Sequence, residues 1–200
     1  MIKAVIFDMG GVILRTVDPT KRDAMAERLG VTRSELEEVV FQSETSLQSE
    51  LGQLSEAGHW EAVLAHFNQP AERYQDWYGE FFSGDMIDRE LMTFISSLKL
   101  KVKVGLLSNA WEHARENLTS RHDFINIFDV SIFSSEVGLR KPDQRIFNLI
   151  LQRLGVVAGE AVFVDDFRAN IDSAAALGFK TVWYQDRDSA IKKITRLLNT

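Results

Sequence analysis

A chain of 200 residues that is 45% hydrophobic and 26% charged suits one domain with a sizeable insert and a real core. Its formal net charge of −6 argues against a nucleic-acid or anionic-membrane surface, and the lack of cysteine excludes disulfides and thiolate metal sites. No apolar run is long enough to cross a bilayer, and the amino-terminal run is broken by Asp8 with no cleavage site after it. A cytoplasmic protein without nucleic-acid or membrane partners is therefore expected.

The run Lys3-Ala4-Val5-Ile6-Phe7 reads as a buried strand, and Gly10-Gly11 reads as a sharp exit from it. Asp8, at that exit, either starts a turn or is presented at a ligand-binding edge. From about residue 18 to residue 83 four helices are expected. They are signalled by Asp18-Pro19, by the capping-box spacing of Thr32 and Glu35, by Ser55 before Trp60, and by Pro70 before Trp77 and Phe81. Ser83-Gly84 closes that block. Next come a helix carrying Ile87 to Leu98, a strand Val102–Leu107 ending in Ser108-Asn109, and a helix through Trp111, Ala114 and Leu118. A third strand is expected at Phe128–Phe133 and a helix at Ile146–Leu154. The fourth strand, Ala161–Val164, ends in Asp165-Asp166; a short helix, a fifth strand over Lys180–Tyr184 and a final amphipathic helix complete the chain. Strands alternating with helices predict an α/β fold: a doubly wound, Rossmann-like parallel sheet with an inserted helical bundle.

Polar residues recur where strands end: Asp8, Ser108, Asn109, Asp165 and Asp166, with Lys141 on a loop between. Parallel strands share one carboxyl edge, so these groups are expected to converge. Three carboxylates together repel one another unless a cation sits among them, and an all-oxygen donor set suits a hard ion such as Mg²⁺. With Lys141 as a point charge, the combination suits a small dianion such as a phosphoryl group. Asp165-Asp166 has a plainer reading as a helix cap. His59, His66, His113 and His122 have no ligand-like company, and Trp60, Trp77, Tyr78 and Phe82 read as core of the helical insert.

The runs Phe7-Asp8-Met9-Gly10-Gly11-Val12, Leu107-Ser108-Asn109, Arg140-Lys141-Pro142-Asp143 and Val164-Asp165-Asp166 stand in order along the whole chain. Together they resemble the four motifs of the haloacid dehalogenase-like hydrolase superfamily, and the insert resembles its helical cap. The resemblance implies a core of residues 1–15 and 85–200 and a cap of residues 16–84. It implies a phosphatase in which Asp8 is the nucleophile, forming an aspartyl-phosphate that water hydrolyses. Ser108 and Asn109 would hydrogen-bond the phosphoryl oxygens, and Lys141 would neutralise them and keep Asp8 ionised. Asp8, Asp166 and the Gly10 carbonyl would hold Mg²⁺. Asp165 would either join them or orient Lys141, and Asn170 would hold the loop in shape.

One departure stands out. Phosphatases of this superfamily usually carry an aspartate two residues after the nucleophile as general acid and base, and here that position is Gly10. The Asp-x-Gly-Gly-Val form resembles a branch that includes sugar-phosphate phosphatases. A substrate with an acidic leaving group is expected, an anomeric sugar phosphate being one. The alternatives are a metal-free 2-haloacid dehalogenase, which has no use for Asp165-Asp166, and a catalytically idle binding protein.

Overall fold

The computed structural model describes residues 1–121 and 125–199. In chain order the elements are β1 (Ala4–Phe7), β2 (Leu14–Thr16), α1 (Thr20–Leu29), α2 (Arg33–Gln42), α3 (Glu44–Glu50), α4 (Glu56–His66), α5 (Tyr74–Phe82) and β3 (Asp85–Ile87). There follow α6 (Arg89–Leu98), β4 (Lys103–Ser108), α7 (Ala114–Arg121), β5 (Val130–Phe133), α8 (Ser134–Val137), α9 (Gln144–Leu154), β6 (Ala161–Asp165), α10 (Arg168–Ala176), β7 (Lys180–Trp183) and α11 (Arg187–Leu198).

Five strands form one parallel sheet in the order β5-β4-β1-β6-β7, so β1 lies between β4 and β6. Its residues are fully buried, and their side chains alternate between two apolar layers. Val5 and Phe7 join Leu91, Ile95 and Ile194, from α6 and α11, on one face. Ala4 and Ile6 join Ile146, Phe147 and Ile150, from α9, on the other. This is the doubly wound α/β core that the alternation of elements predicts.

The insert differs from its expected form in several ways. It has five α-helices rather than four; α3, with the sequence ETSLQSE, shows no apolar period because its buried residues are Ser46 and Ser49. Ser43 starts it, accepting a hydrogen bond from the Ser46 amide. The segments flanking the insert pair with each other: Leu14 lies opposite Ile87 and Thr16 opposite Asp85 in a two-stranded antiparallel ribbon of β2 and β3. Ile87 therefore belongs to β3, and α6 starts at Arg89 behind the cap Asp88. Two of the other expected caps form. Thr32 and Glu35 make both bonds of a capping box, and the Ser55 hydroxyl accepts from the Gly58 amide. Asp18 instead accepts from the Thr20 amide with Pro19 directly before α1, and Pro70 opens a short 3-10 turn over Ala71–Arg73 ahead of α5.

The helices of the insert share a separate apolar cluster built from Met25, Leu36, Trp60, Trp77, Phe81 and neighbours. Arg22 of α1 is buried inside it against the Phe81 ring, with its guanidinium carbon 4.1 Å from the ring centre. It donates to the Phe81 carbonyl, to Glu37 and to both carboxylate oxygens of Asp85, so all its polar groups face protein partners. Asp85 also accepts from Thr16. Arg22 thus ties three helices to the ribbon beneath them.

Candidate active site

The parallel register that places Phe7 beside Leu106 on one side and Val164 on the other brings the next residues, Asp8, Leu107 and Asp165, level at one sheet edge. The Asp8 amide extends the ladder by donating to the Val164 carbonyl at 2.8 Å. Asp8 and Asp165 are buried, as are Ser108 and Lys141. Lys141 arrives from the loop between α8 and α9 and places its ammonium 2.6 Å from Asp8 Oδ1 and 2.7 Å from Asp165 Oδ2. Asp8 Oδ1 also accepts from the Met9 amide at 2.7 Å. Among the described residues no donor meets Asp8 Oδ2.

Asp165 is fully engaged. One oxygen accepts from the Phe167 amide at 2.7 Å, the other from Lys141, and the Asn170 amide spans both at 3.1 Å. Asn170 holds this loop as expected. Asn109 is engaged differently from expectation. Its amide nitrogen donates to the Lys141 carbonyl at 2.9 Å and its oxygen accepts from the Lys141 amide at 2.8 Å. The side chain assigned to phosphoryl contact therefore brackets the lysine backbone. Ser108 sits buried beside it, with its hydroxyl 3.3 Å from the Asn109 carbonyl.

Carboxylate oxygens of Asp8, Asp165 and Asp166 lie within 4.8 Å of one another. Burial pushes the Asp8 carboxyl above its ordinary pKa, and Asp165 and Asp166 push it further; Lys141 pulls it down but does not outweigh burial. Burial alone would lower the Lys141 ammonium, yet the facing Asp8 and Asp165 carboxylates raise it overall. Partial desolvation and Asp165 likewise raise Asp166. Three carboxylates face one ammonium, and Asp166 forms no ion pair among the described residues. This excess of negative charge on hard oxygen donors fits a divalent cation of the Mg²⁺ type.

The two glycines after β1 are not equivalent. Gly11 has φ +75°, and a side chain there would collide with the Asp166 carboxylate. At Gly10 a methyl group would meet nothing within 4 Å.

The three described histidines stay out of this cluster. His59 is buried in the insert between Thr45 and the Val40 carbonyl, and burial lowers its pKa to about 4. His66 packs on Phe67, His113 pairs with Glu116, and His122 lies outside the described residues. Trp60 and Trp77 are core of the insert, as expected, with Tyr78 and Phe82 packed against them.

Two features near the site went unread in the sequence. Trp111, expected on a helix, precedes α7 and is buried in the cluster of the insert, although the loop after β4 carries it. Glu50 of α3 pairs at 2.6 Å with Arg140, the residue before Lys141. Trp111 could have been noticed as a lone aromatic two residues after Asn109; Glu50 gave no signal.

The model of the haloacid dehalogenase-like hydrolase family matches residues 2–178. A D-ribitol-5-phosphate phosphatase from Bacteroides thetaiotaomicron is 27% identical, and the match covers the whole of both chains. The chain spans only 37% of the length of a drimenol cyclase from Aspergillus calidoustus and 10% of a mouse acyl-CoA dehydrogenase family member. Among solved structures, a predicted HAD-like family hydrolase from Porphyromonas gingivalis superposes with a TM-score of 0.79 at 26% identity. That superposition covers 100% of this chain and 99% of the other. A HAD-family enzyme from B. thetaiotaomicron, solved with magnesium and inorganic phosphate, gives a TM-score of 0.73 at 22% identity over 91% of this chain and 93% of that one. No helix among the described residues is long and apolar enough to cross a membrane.

Proposed function

The chain belongs to the haloacid dehalogenase-like hydrolases, and from that premise we propose that it is a Mg²⁺-dependent phosphatase acting on a small phosphorylated metabolite through an aspartyl-phosphate on Asp8. The observation that carries this reading is the Asp8 carboxylate. One oxygen is fixed by Lys141 and the Met9 amide, and the other meets no donor among the described residues.

In this reading Asp8 Oδ2 attacks phosphorus. An O–P bond forms, the bond to the leaving oxygen breaks, and that oxygen takes the electron pair. Lys141 offsets phosphoryl charge and fixes the nucleophile, and Ser108 hydrogen-bonds a phosphoryl oxygen. Water then adds to phosphorus, freeing inorganic phosphate and restoring the carboxylate; one of its protons ends on the released alcohol. Splitting one displacement into two easier ones is the physical gain. Asp8, Asp166 and the Gly10 carbonyl are the groups that would hold Mg²⁺, which when bound supplies charge neutralisation for the phosphoryl group. Asp165, whose oxygens are already taken, orients Lys141, and Asn109 fixes the lysine backbone. Residues 16–84 act as the cap over a core of residues 1–15 and 85–200.

Likeness to a ribitol-phosphate phosphatase supports the substrate class. The open space at Gly10 supports a narrower one: without an acid there, esters whose leaving group departs as an anion are favoured, anomeric sugar phosphates among them. A screen of phosphorylated metabolites for phosphate release tests the assignment. Release that needs Mg²⁺ is expected; turnover undiminished in excess chelator, or chloride release from a 2-chloro acid, overturns it.

A further inference from the structure

Trp111 belongs by sequence to the sheet side of the molecule and by packing to the insert. Its indole lies 4.6 Å from the His59 ring, stacks on Phe41 at 5.9 Å and meets Trp60 edge-on at 6.2 Å. Its Nε1 donates to the Ser46 hydroxyl of α3 at 3.2 Å. The two residues before it are equally fixed, on the other side. Ala110 donates its amide to Ser134 Oγ at 2.9 Å and its carbonyl accepts from the same hydroxyl. Asn109 holds both the carbonyl and the amide of Lys141, and Lys141 touches Asp8.

A short piece of chain, Asn109 to Trp111, therefore has one end in the aromatic cluster of the insert and the other on the backbone of the lysine at the reaction centre. We propose that Trp111 is a positioning residue: seating its indole in the insert sets the loop that places Asn109, and through Asn109 the ammonium of Lys141 beside Asp8. This rests on the phosphatase reading for its kinetic consequence but not for its structural one. A small loss of register at the tryptophan propagates to the lysine because no flexible residue lies between them. Misplacing a catalytic group by about 1 Å costs on the order of a hundredfold in rate. The Glu50–Arg140 pair is a second link, from α3 to the loop that carries Lys141 itself.

Trp111→Leu keeps an apolar side chain in the cluster, and Trp111→Phe keeps an aromatic face while losing the bond to Ser46 and part of the ring's bulk. Amide hydrogen exchange followed by NMR reads the Ala110 and Lys141 amides directly in the full chain, whether or not a substrate is known. In Trp111→Leu these two amides are expected to exchange faster while amides of α9 and β6 keep their protection; Trp111→Phe restores both. If Trp111 serves only as packing for the insert, faster exchange is confined to α2, α4 and α5, with Ala110 and Lys141 unchanged, and the proposal is overturned. Kinetics add a second readout. The kcat of Trp111→Leu is expected to fall by about tenfold or more, and equally for acetyl phosphate and for the best substrate of the screen. A rise in KM confined to the bulkier substrate assigns Trp111 to substrate recognition and overturns the proposal. An inactive wild type with the exchange pattern intact rejects the phosphatase reading alone.

Discussion

Gly11 and Asp166 share one space: the Asp166 carboxylate lies where any side chain on residue 11 would have to go. The backbone adds a second demand, since φ at Gly11 is +75°. Gly10, one residue earlier, meets neither constraint. Adjacent glycines thus have opposite tolerances. Gly11→Ala is expected to lower stability by about 1 kcal/mol or more and to displace Asp166, abolishing Mg²⁺-dependent turnover. Gly10→Ala is expected to stay within about 0.5 kcal/mol of the parent. Thermal unfolding of the two variants, with phosphate release measured beside it, checks the contrast.

Asp8→Asn keeps the shape of the side chain and removes its nucleophilicity. Turnover is expected to vanish with the circular dichroism spectrum unchanged. Residual activity within about tenfold of the parent contradicts covalent catalysis, which contributes far more than that to rate.

Metal dependence has a readout independent of catalysis. A ligand that binds only the folded chain raises its stability by RT ln(1 + [L]/Kd), about 2.7 kcal/mol at a hundredfold excess over Kd. Mg²⁺ is expected to raise the melting temperature of the parent and to raise that of Asp166→Ala far less. Chelation should silence the parent and added Mg²⁺ restore it. An equal thermal shift in both proteins removes Asp166 from the metal site.

The space at Gly10 predicts a steep dependence on leaving group. A positioned acid is worth typically about 10²–10⁴-fold, and without one the leaving oxygen carries more charge in the transition state. Across phosphate monoesters of graded leaving-group pKa, kcat/KM should fall steeply as that pKa rises. A Cβ at residue 10 meets nothing within 4 Å, and Gly10→Asp should flatten the slope. A flat profile in the parent means that another group donates the proton.

His59 gives a pH-dependence of stability that does not involve the reaction centre. Its imidazole is buried, and burial lowers its pKa from 6.5 to about 4. The unfolded chain therefore binds a proton there before the folded one does. The stability that His59 contributes is complete above pH 6.5 and is lost as the pH falls from 6.5 towards 4. Chemical denaturation across that range should show a fall in the parent that is shallower in His59→Gln.

The fold and the cluster of the candidate site were legible for a common reason. A strand buried on both sides must be apolar throughout, so Val5-Ile6-Phe7 and Val162-Phe163-Val164 stand out, and a charge directly after such a run marks where the apolar strand ends. Asp8, Asp165 and Asp166 followed from that pattern, and the structure brings them together with Lys141. What stayed hidden depends on contacts far apart in sequence. Helix α3 buries serines, so no apolar period announces it. The ribbon of β2 and β3 exists only because residues 14–16 meet residues 85–87. Asn109 was expected at a phosphoryl oxygen and is found on the Lys141 backbone; its residue type suits both, so only the fold shows the second contact.

The Arg22–Asp85 contact bears on how this protein could be recombined with its relatives. A chimaera that exchanges residues 16–84 would carry Arg22 away while leaving Asp85 behind, stranding a guanidinium inside an aromatic cage with half its acceptors gone. Separating the partners of a buried ion pair costs about 3–5 kcal/mol, a large share of a typical domain's stability. The natural crossover points therefore lie outside the ribbon, before Leu14 and after Ile87, so that Thr16, Arg22 and Asp85 are inherited together. Even then the graft must find an indole waiting at position 111, because the host supplies that piece of the transplanted interior.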